Sequence, residues 1–257
     1  MPASLCRENG STFRSEYRSR SYYTHLVLWN KEDKRIAGAY RLAWSQDILR
    51  HKGTRGHYTP TLFHFSPAFF ARLGPAVELG RSFVRTEYQK DAAPLLLLWQ
   101  RIAACIAARP NAPVLFGAVS ISASYSDAAR KMMVEYLRHN RWHRDLADRV
   151  RPVQPFRSCL NREFELRLLT NTFRNLDDPN RQIRDIDAQA GVPALIRQYV
   201  KLGGQVAAFN VDRGFSKALD ALLLVNLRDT PQRLLSRYMG LESARKFLSH
   251  FAMGRPA

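Results

Sequence analysis

Two ionisable residues three apart, Glu78 and Arg81, stand inside the otherwise apolar stretch Val77-Glu-Leu-Gly-Arg-Ser-Phe-Val84. Charges on a core strand are costly to bury unless they are paired or used, so this pair is the first candidate for chemistry. In a flat strand, positions three apart point to opposite faces. Gly80 lies between them, and an isolated glycine in a strand marks a bulge that would turn both side chains toward one cleft. The alternative is that Arg81 forms a buried ion pair elsewhere and Glu78 faces solvent. Just downstream, Arg85, Gln89 and Lys90 precede a helix start that Asp91 can cap and that tolerates Pro94 in its first turn. Free backbone N–H groups, a positive dipole end and two cations together suit a phosphate.

The elements that must hold these residues follow from patterning. Tyr22–Trp29 and Ile36–Trp44 read as strands joined by the turn Asn30–Lys34, and the second carries Arg41, another charge in an apolar strand. Residues 1–21 are polar and Arg-rich and read as a helix or ragged segment. Residues 45–73 form a long connection containing His51, His57, His64 and many aromatics, with a short amphipathic helix over Phe65–Leu73. The histidines lack a carboxylate or cysteine partner at metal-ligand spacing, and core packing is the expected role of most of the aromatics. Ala112–Ser122 is an unbroken apolar run, fitting a strand buried on both faces, and Ser126 or Asp127 caps a helix reaching about Asn140. His143 and Asp148 spell the acid–base spacing of glycerolipid acyltransferases, a match that no later Gly-rich phosphate motif supports. Near the C-terminus, Pro193 opens a helix stopped by Gly203. Strands Gln205–Val211 and Leu219–Leu227 follow, then helices over Pro231–Met239 and Leu241–Phe251. The order signals α/β (α+β) layering, with a central mixed sheet flanked by helices in a single domain over residues 1–257. Residues 138–190 read as a charged irregular insertion.

Composition limits the partners. Lys+Arg 40 against Asp+Glu 22 leaves +18, which favours an anionic partner: nucleic acid, an anionic membrane face or an acidic protein. The basic residues are scattered and follow no recognised nucleic-acid module, so nucleic acid is not expected. Three cysteines, Cys6, Cys105 and Cys159, are far apart with no C-x-x-C, which fits a reduced, cytoplasmic setting without a metal. No apolar leader opens the sequence. The longest apolar run, Ala92–Ala108, is broken by Gln100 and Arg101 and falls short of the roughly 20 residues a membrane span needs. Any membrane contact is expected to be peripheral.

Several runs, in order, carry a resemblance. Ala39–Leu42, Glu78–Val84, Leu115–Ser122, Pro193–Gly204 and Asn210–Asp220 resemble the ornithine-lipid type N-acyltransferases. These hemolysin-like proteins have the GNAT fold and are related to acyl-homoserine-lactone synthases. The resemblance spans roughly Arg7 to Gly240. It implies transfer of a long-chain acyl group from acyl carrier protein, or from coenzyme A, to the α-amine of an amino acid such as ornithine. The donor is an acyl-phosphopantetheine and no bound cofactor is expected. It implies catalytic roles for Glu78, Arg81 and Arg41, with Glu78 taking the amine proton and the arginines gripping the acceptor carboxylate. Arg85, Gln89 and Lys90 would hold the phosphopantetheine phosphate, and Ser120 and Ser122 join the expected substrate-binding residues. One departure stands out: relatives carry an Asp before the first strand where this chain has Arg20. A catalytically silent module of the same fold, binding anionic lipid or an acidic protein, is the alternative expectation.

Overall fold

The computed structural model describes residues 6–8, 11–16, 22–157 and 191–252. The chain separates into two compact units. One comprises Met1–His57, Gly74–Phe116 and Asn226–Ala257; the other comprises Tyr58–Leu73 and Gly117–Val225.

The first unit is built on a mixed sheet. Its strands, β1 (Cys6–Glu8), β2 (Ser11–Glu16), β3 (Thr24–Asn30), β4 (Arg35–Trp44), β6 (Ala76–Val84) and the first residues of β7 (Val114–Ile121), lie side by side in that order. All neighbours are antiparallel except β6 and β7, which run parallel. The segment before β3 is therefore not helical where it is described. Ser11–Glu16 pairs with β3 from Thr12↔Trp29 to Glu16↔His25 and supplies the backbone partners that β3 would otherwise lack on that edge. Arg20 lies outside the described residues.

Helices α1 (Ser45–Lys52) and α3 (Ala93–Ala108) belong to this unit. At the start of α3, Asp91 Oδ1 accepts from the Ala93 N–H at 3.0 Å and Pro94 sits in the first turn, as the sequence implied. The apolar stripe Leu98, Trp99, Ile102 and Ile106 is buried, and the Trp99 ring meets the edge of Tyr40 on β4. Gly38 on β4 makes this approach possible. A Cβ there would stand 2.8 Å from the Phe83 carbonyl oxygen and 3.3 Å from Leu98 Cδ1. Trp99 also packs on Tyr238 of α7 (Gln232–Met239), beside which lies α8 (Leu241–Ala252). The two ends of α1 and α3 are tied by Arg109, which grips the Asp47 carboxylate through two hydrogen bonds of 2.6 and 2.9 Å and holds it below the usual carboxylate range.

The second unit holds the rest of β7, next to β10 (Ala218–Asn226) and then β9 (Gln205–Asp212). A small sheet pairs β5 (Phe63–Phe65) with β8 (Val150–Pro152). Its helices are α2 (Ala68–Leu73), α4 (Asp127–Arg141), α5 (Arg144–Ala147) and α6 (Ala194–Lys201). Ser126 caps α4 by accepting from the Ala129 N–H. Gly203, at φ 88°, ends α6 with the left-handed turn that favours glycine. Phe65, Phe69 and Phe70 pack on one another with ring centres 4.4 to 5.3 Å apart, so these aromatics serve the core. Residues 138–157, expected to be irregular, carry the end of α4, α5 and β8; residues 158–190 lie outside the described residues. Among the described residues no helix is long and apolar enough to cross a membrane.

Candidate active site

The register of β4 and β6 shows why two charges can sit in an apolar strand. Arg41 pairs with Gly80 and Ala39 with Phe83, so Tyr40 alone on β4 faces Arg81 and Ser82 on β6. That is a bulge with the extra residue on β6. It falls one position beyond Gly80. Arg81 takes the left-handed backbone itself, at φ 49°, while a Cβ on Gly80 would meet nothing within 4 Å. A non-glycine residue held at positive φ costs roughly 1–2 kcal/mol. Arg81→Gly is expected to raise unfolding stability by up to about 1 kcal/mol, read from the urea midpoint at constant m-value, once the added freedom of the unfolded chain is subtracted. Destabilisation instead would mean that the Arg81 side chain contributes more than its backbone costs.

Glu78 lies before the bulge, 1% exposed. It faces Ala43 on β4 and Phe116 on β7, and the parallel ladder that starts at Ala76↔Val114 ends on it. Leu42 and Leu79, one step along each strand, point to the opposite face that α3 covers. The Glu78 carboxylate receives a hydrogen bond from the Tyr23 hydroxyl at Oε2. The Arg41 guanidinium lies 4.0 Å above the centre of the same Tyr23 ring. Tyr23 thus links two of the three residues singled out as catalytic, Glu78 and Arg41. Arg81, the third, is exposed on the bulge.

His57 completes the buried group. It is 3% exposed, its Nδ1 3.2 Å from the Thr54 carbonyl oxygen and its Nε2 3.0 Å from Ser45 Oγ. A carbonyl only accepts, so Nδ1 carries the proton and Nε2 accepts from the Ser45 hydroxyl. The ring centre is 5.8 Å from that of Phe116, the residue beside Glu78 on the neighbouring strand. Burial pushes the imidazole below its ordinary range, while the Glu78 charge and the Thr54 hydrogen bond work against that shift. Neither Tyr23 nor His57 was singled out by sequence. Tyr23 carried no local signal, since its partner Glu78 lies 55 positions away.

The residues expected to hold a phosphate are placed differently from Glu78. Arg85 is exposed and donates to the Glu87 carboxylate at 2.7 Å, Gln89 folds back to donate to the Val84 carbonyl at 2.7 Å, and Lys90 is exposed. The Arg85 charge is therefore already met by a carboxylate of its own turn. Ser120 and Ser122 belong to the second unit. The Ser120 hydroxyl donates to Asp220 Oδ1 at 2.5 Å, and Ser122 Oγ accepts from the Ser124 N–H at 3.1 Å. Cys105, on α3, has its thiol pushed up by burial, which makes it a poor nucleophile.

Residues 16–100 match the acetyltransferase (GNAT) domain family, a span that contains Arg41, His57, Glu78 and Arg81. The chain is similar to the glycine N(alpha)-acyltransferase of Bacteroides thetaiotaomicron, at 32% identity over 198 residues, 73% of this chain and 57% of that protein. It is also similar to the glycine N(alpha)-acyltransferase of Phocaeicola vulgatus, at 27% identity over 223 residues, 80% of this chain and 66% of that protein. The chain thus spans less than two thirds of the length of either relative. No solved structure gives a significant match. The mixed sheet flanked by helices agrees with a GNAT-type architecture.

Proposed function

We propose that this chain is an N-acyltransferase that moves an acyl group from a phosphopantetheine thioester to the α-amine of a small amino acid, with Glu78 as the base. The observation that carries the reading is the buried Glu78 carboxylate, aligned by the Tyr23 hydroxyl at the end of the β6–β7 ladder. At neutral pH an amino acid presents an ammonium, which has no lone pair for attack. The reaction needs a base within reach of that nitrogen and a site that excludes water from the thioester. The ammonium gives one proton to Glu78, nitrogen bonds to the thioester carbon, and the C–S bond then breaks. Of the two protons nitrogen sheds, one ends on the thiol sulfur and the other leaves to solvent.

Backbone N–H groups of β6 past Glu78 are suited to hold the oxyanion, and a fixed strand dipole needs no reorganisation when charge develops there. Arg41, over Tyr23, and Arg81, on the bulge, are the cations suited to an acceptor carboxylate. The relatives' names favour glycine as the acceptor, where the family resemblance alone implied ornithine. The chemistry at nitrogen is the same for both. Acyl carrier protein is the donor that suits a chain of charge +18, since such a surface attracts an acidic protein. The same charge suits release of a lipid product at an anionic membrane face.

The test is a matrix of donors and acceptors. Long-chain acyl carrier protein and long-chain acyl-coenzyme A are each offered with glycine and with ornithine, and thiol release and N-acyl product are followed together. The expected result is N-acylglycine formation, faster from the carrier-protein donor and slowed by salt. Product from ornithine alone would reverse the acceptor assignment. Salt-sensitive binding to anionic vesicles, with no thiol release from any donor, would replace the reading by the silent module.

A further inference from the structure

His57 is the one buried histidine among the described residues, and the reaction as read above does not use it. We propose that His57 is the second proton-holding group of the Glu78 site, the ring whose charge governs whether the carboxylate can act as a base. The inference rests on the reading of Glu78 as that base.

The geometry is that of a group held for its ionisation. Thr54 fixes the proton on Nδ1, and the fully buried Ser45 hydroxyl donates to Nε2, so the surroundings define one neutral tautomer. The ring lies against Phe116, which stands beside Glu78 across the β6–β7 ladder. The other charged groups on the elements around it are Asp47, Arg50, His51 and Lys52 on α1 and Arg55 in the turn that follows. None of them is buried, and Asp47 is engaged by Arg109. On the strand side, Tyr23 and Arg41 are half-buried around the carboxylate. Glu78 is the buried charge that acts on His57, and it favours the imidazolium while burial opposes it. A proton on His57 places a cation beside Glu78 at low dielectric and weakens the carboxylate as a base. A neutral His57 leaves it strong.

Two measurements test this on the full chain. Histidine ring titration by NMR follows His57 in the parent and in Glu78→Gln. The midpoint is expected to move to lower pH in the variant, because the charge that favoured the imidazolium is gone. The pH profile of kcat/KM is then compared between the parent and His57→Gln, whose amide can keep both hydrogen bonds but cannot titrate. The acid limb is expected to move to lower pH by about one unit and to keep a slope of one throughout. Ser45→Ala keeps the ring and removes the donor to Nε2, so its acid limb should move to higher pH; this arm stands if His57→Gln does not fold. A His57 midpoint indifferent to Glu78→Gln, or acid limbs that superimpose on the parent's, would overturn the inference alone. Full turnover by Glu78→Gln would overturn the base assignment, and this inference with it.

Discussion

Glu78→Gln is expected to lower kcat and kcat/KM together by about 10²–10⁴-fold, the range that a positioned general base contributes. The substitution is close to isosteric, and the amide oxygen can still accept from the Tyr23 hydroxyl that now reaches Oε2. What disappears is the ability to take a proton from the acceptor. KM for the amino acid should change little, because the cations suited to its carboxylate, Arg41 and Arg81, are untouched. Stability should hold or rise, since a buried carboxylate, 1% exposed, is replaced by a neutral group of the same shape. A melting temperature that holds while turnover falls separates a chemical role from a structural one. The opposite pattern, turnover within threefold of the parent with a lower melting temperature, would make Glu78 a structural residue and send the search for the base elsewhere.

The parts of this site that were legible in sequence are those written locally. Glu78 and Arg81 announced themselves as charges in an apolar strand, and Gly80 announced irregular pairing nearby. Register decided the rest. The extra residue falls at Arg81–Ser82 because Arg41 on β4 takes Gly80 as its partner, a choice made between strands and not within one. Tyr23 was not legible because its partner lies 55 positions away, and the alternation of β3 gives no reason to look for one. His57 stood among three histidines read together for metal spacing. What distinguishes it is burial against Phe116 and Ser45, a property of the folded unit alone. The hairpin before β3 was missed for a related reason: its polar Ser/Thr/Arg composition does not alternate, and its strand state follows from the open edge of β3. The elements with strong local signals, the Pro94 start of α3, the Ser126 cap of α4 and the Gly203 end of α6, lie where sequence placed them.

Asp220→Asn is expected to stabilise the chain at pH 7.5 by about 2 kcal/mol and to lose that advantage near pH 4.5. Asp220 sits on β10, 2% exposed, between Leu219 and Ala221, which are fully buried. Its Oδ1 accepts from the Ser120 hydroxyl, and its register partner on β9 is the buried Asn210. Burial drives its pKa up from 3.8 to about 6; the Ser120 hydrogen bond works against the rise and the Asp212 charge adds to it. The folded chain therefore holds this proton more tightly than the unfolded chain does. Between those two values the folded state binds more protons, so stability falls as pH climbs through the window. Above it the ionised carboxylate costs about 3 kcal/mol, from the 1.36 kcal/mol that accompanies each tenfold change. The asparagine keeps an acceptor for Ser120 and removes that cost, while its own NH2, if left without an acceptor, returns about 1 kcal/mol. Near pH 4.5 the native carboxyl is largely protonated, and the roughly 1 kcal/mol that remains, from ionisation in the unfolded chain, is offset by what the amide loses. Urea unfolding of both chains at the two pH values measures the difference directly, with other titrating groups cancelling between them. A gain that is the same at both values would show that charge is not the cause, and a loss at pH 7.5 would show that the ionised carboxylate is held by partners strong enough to outweigh its burial.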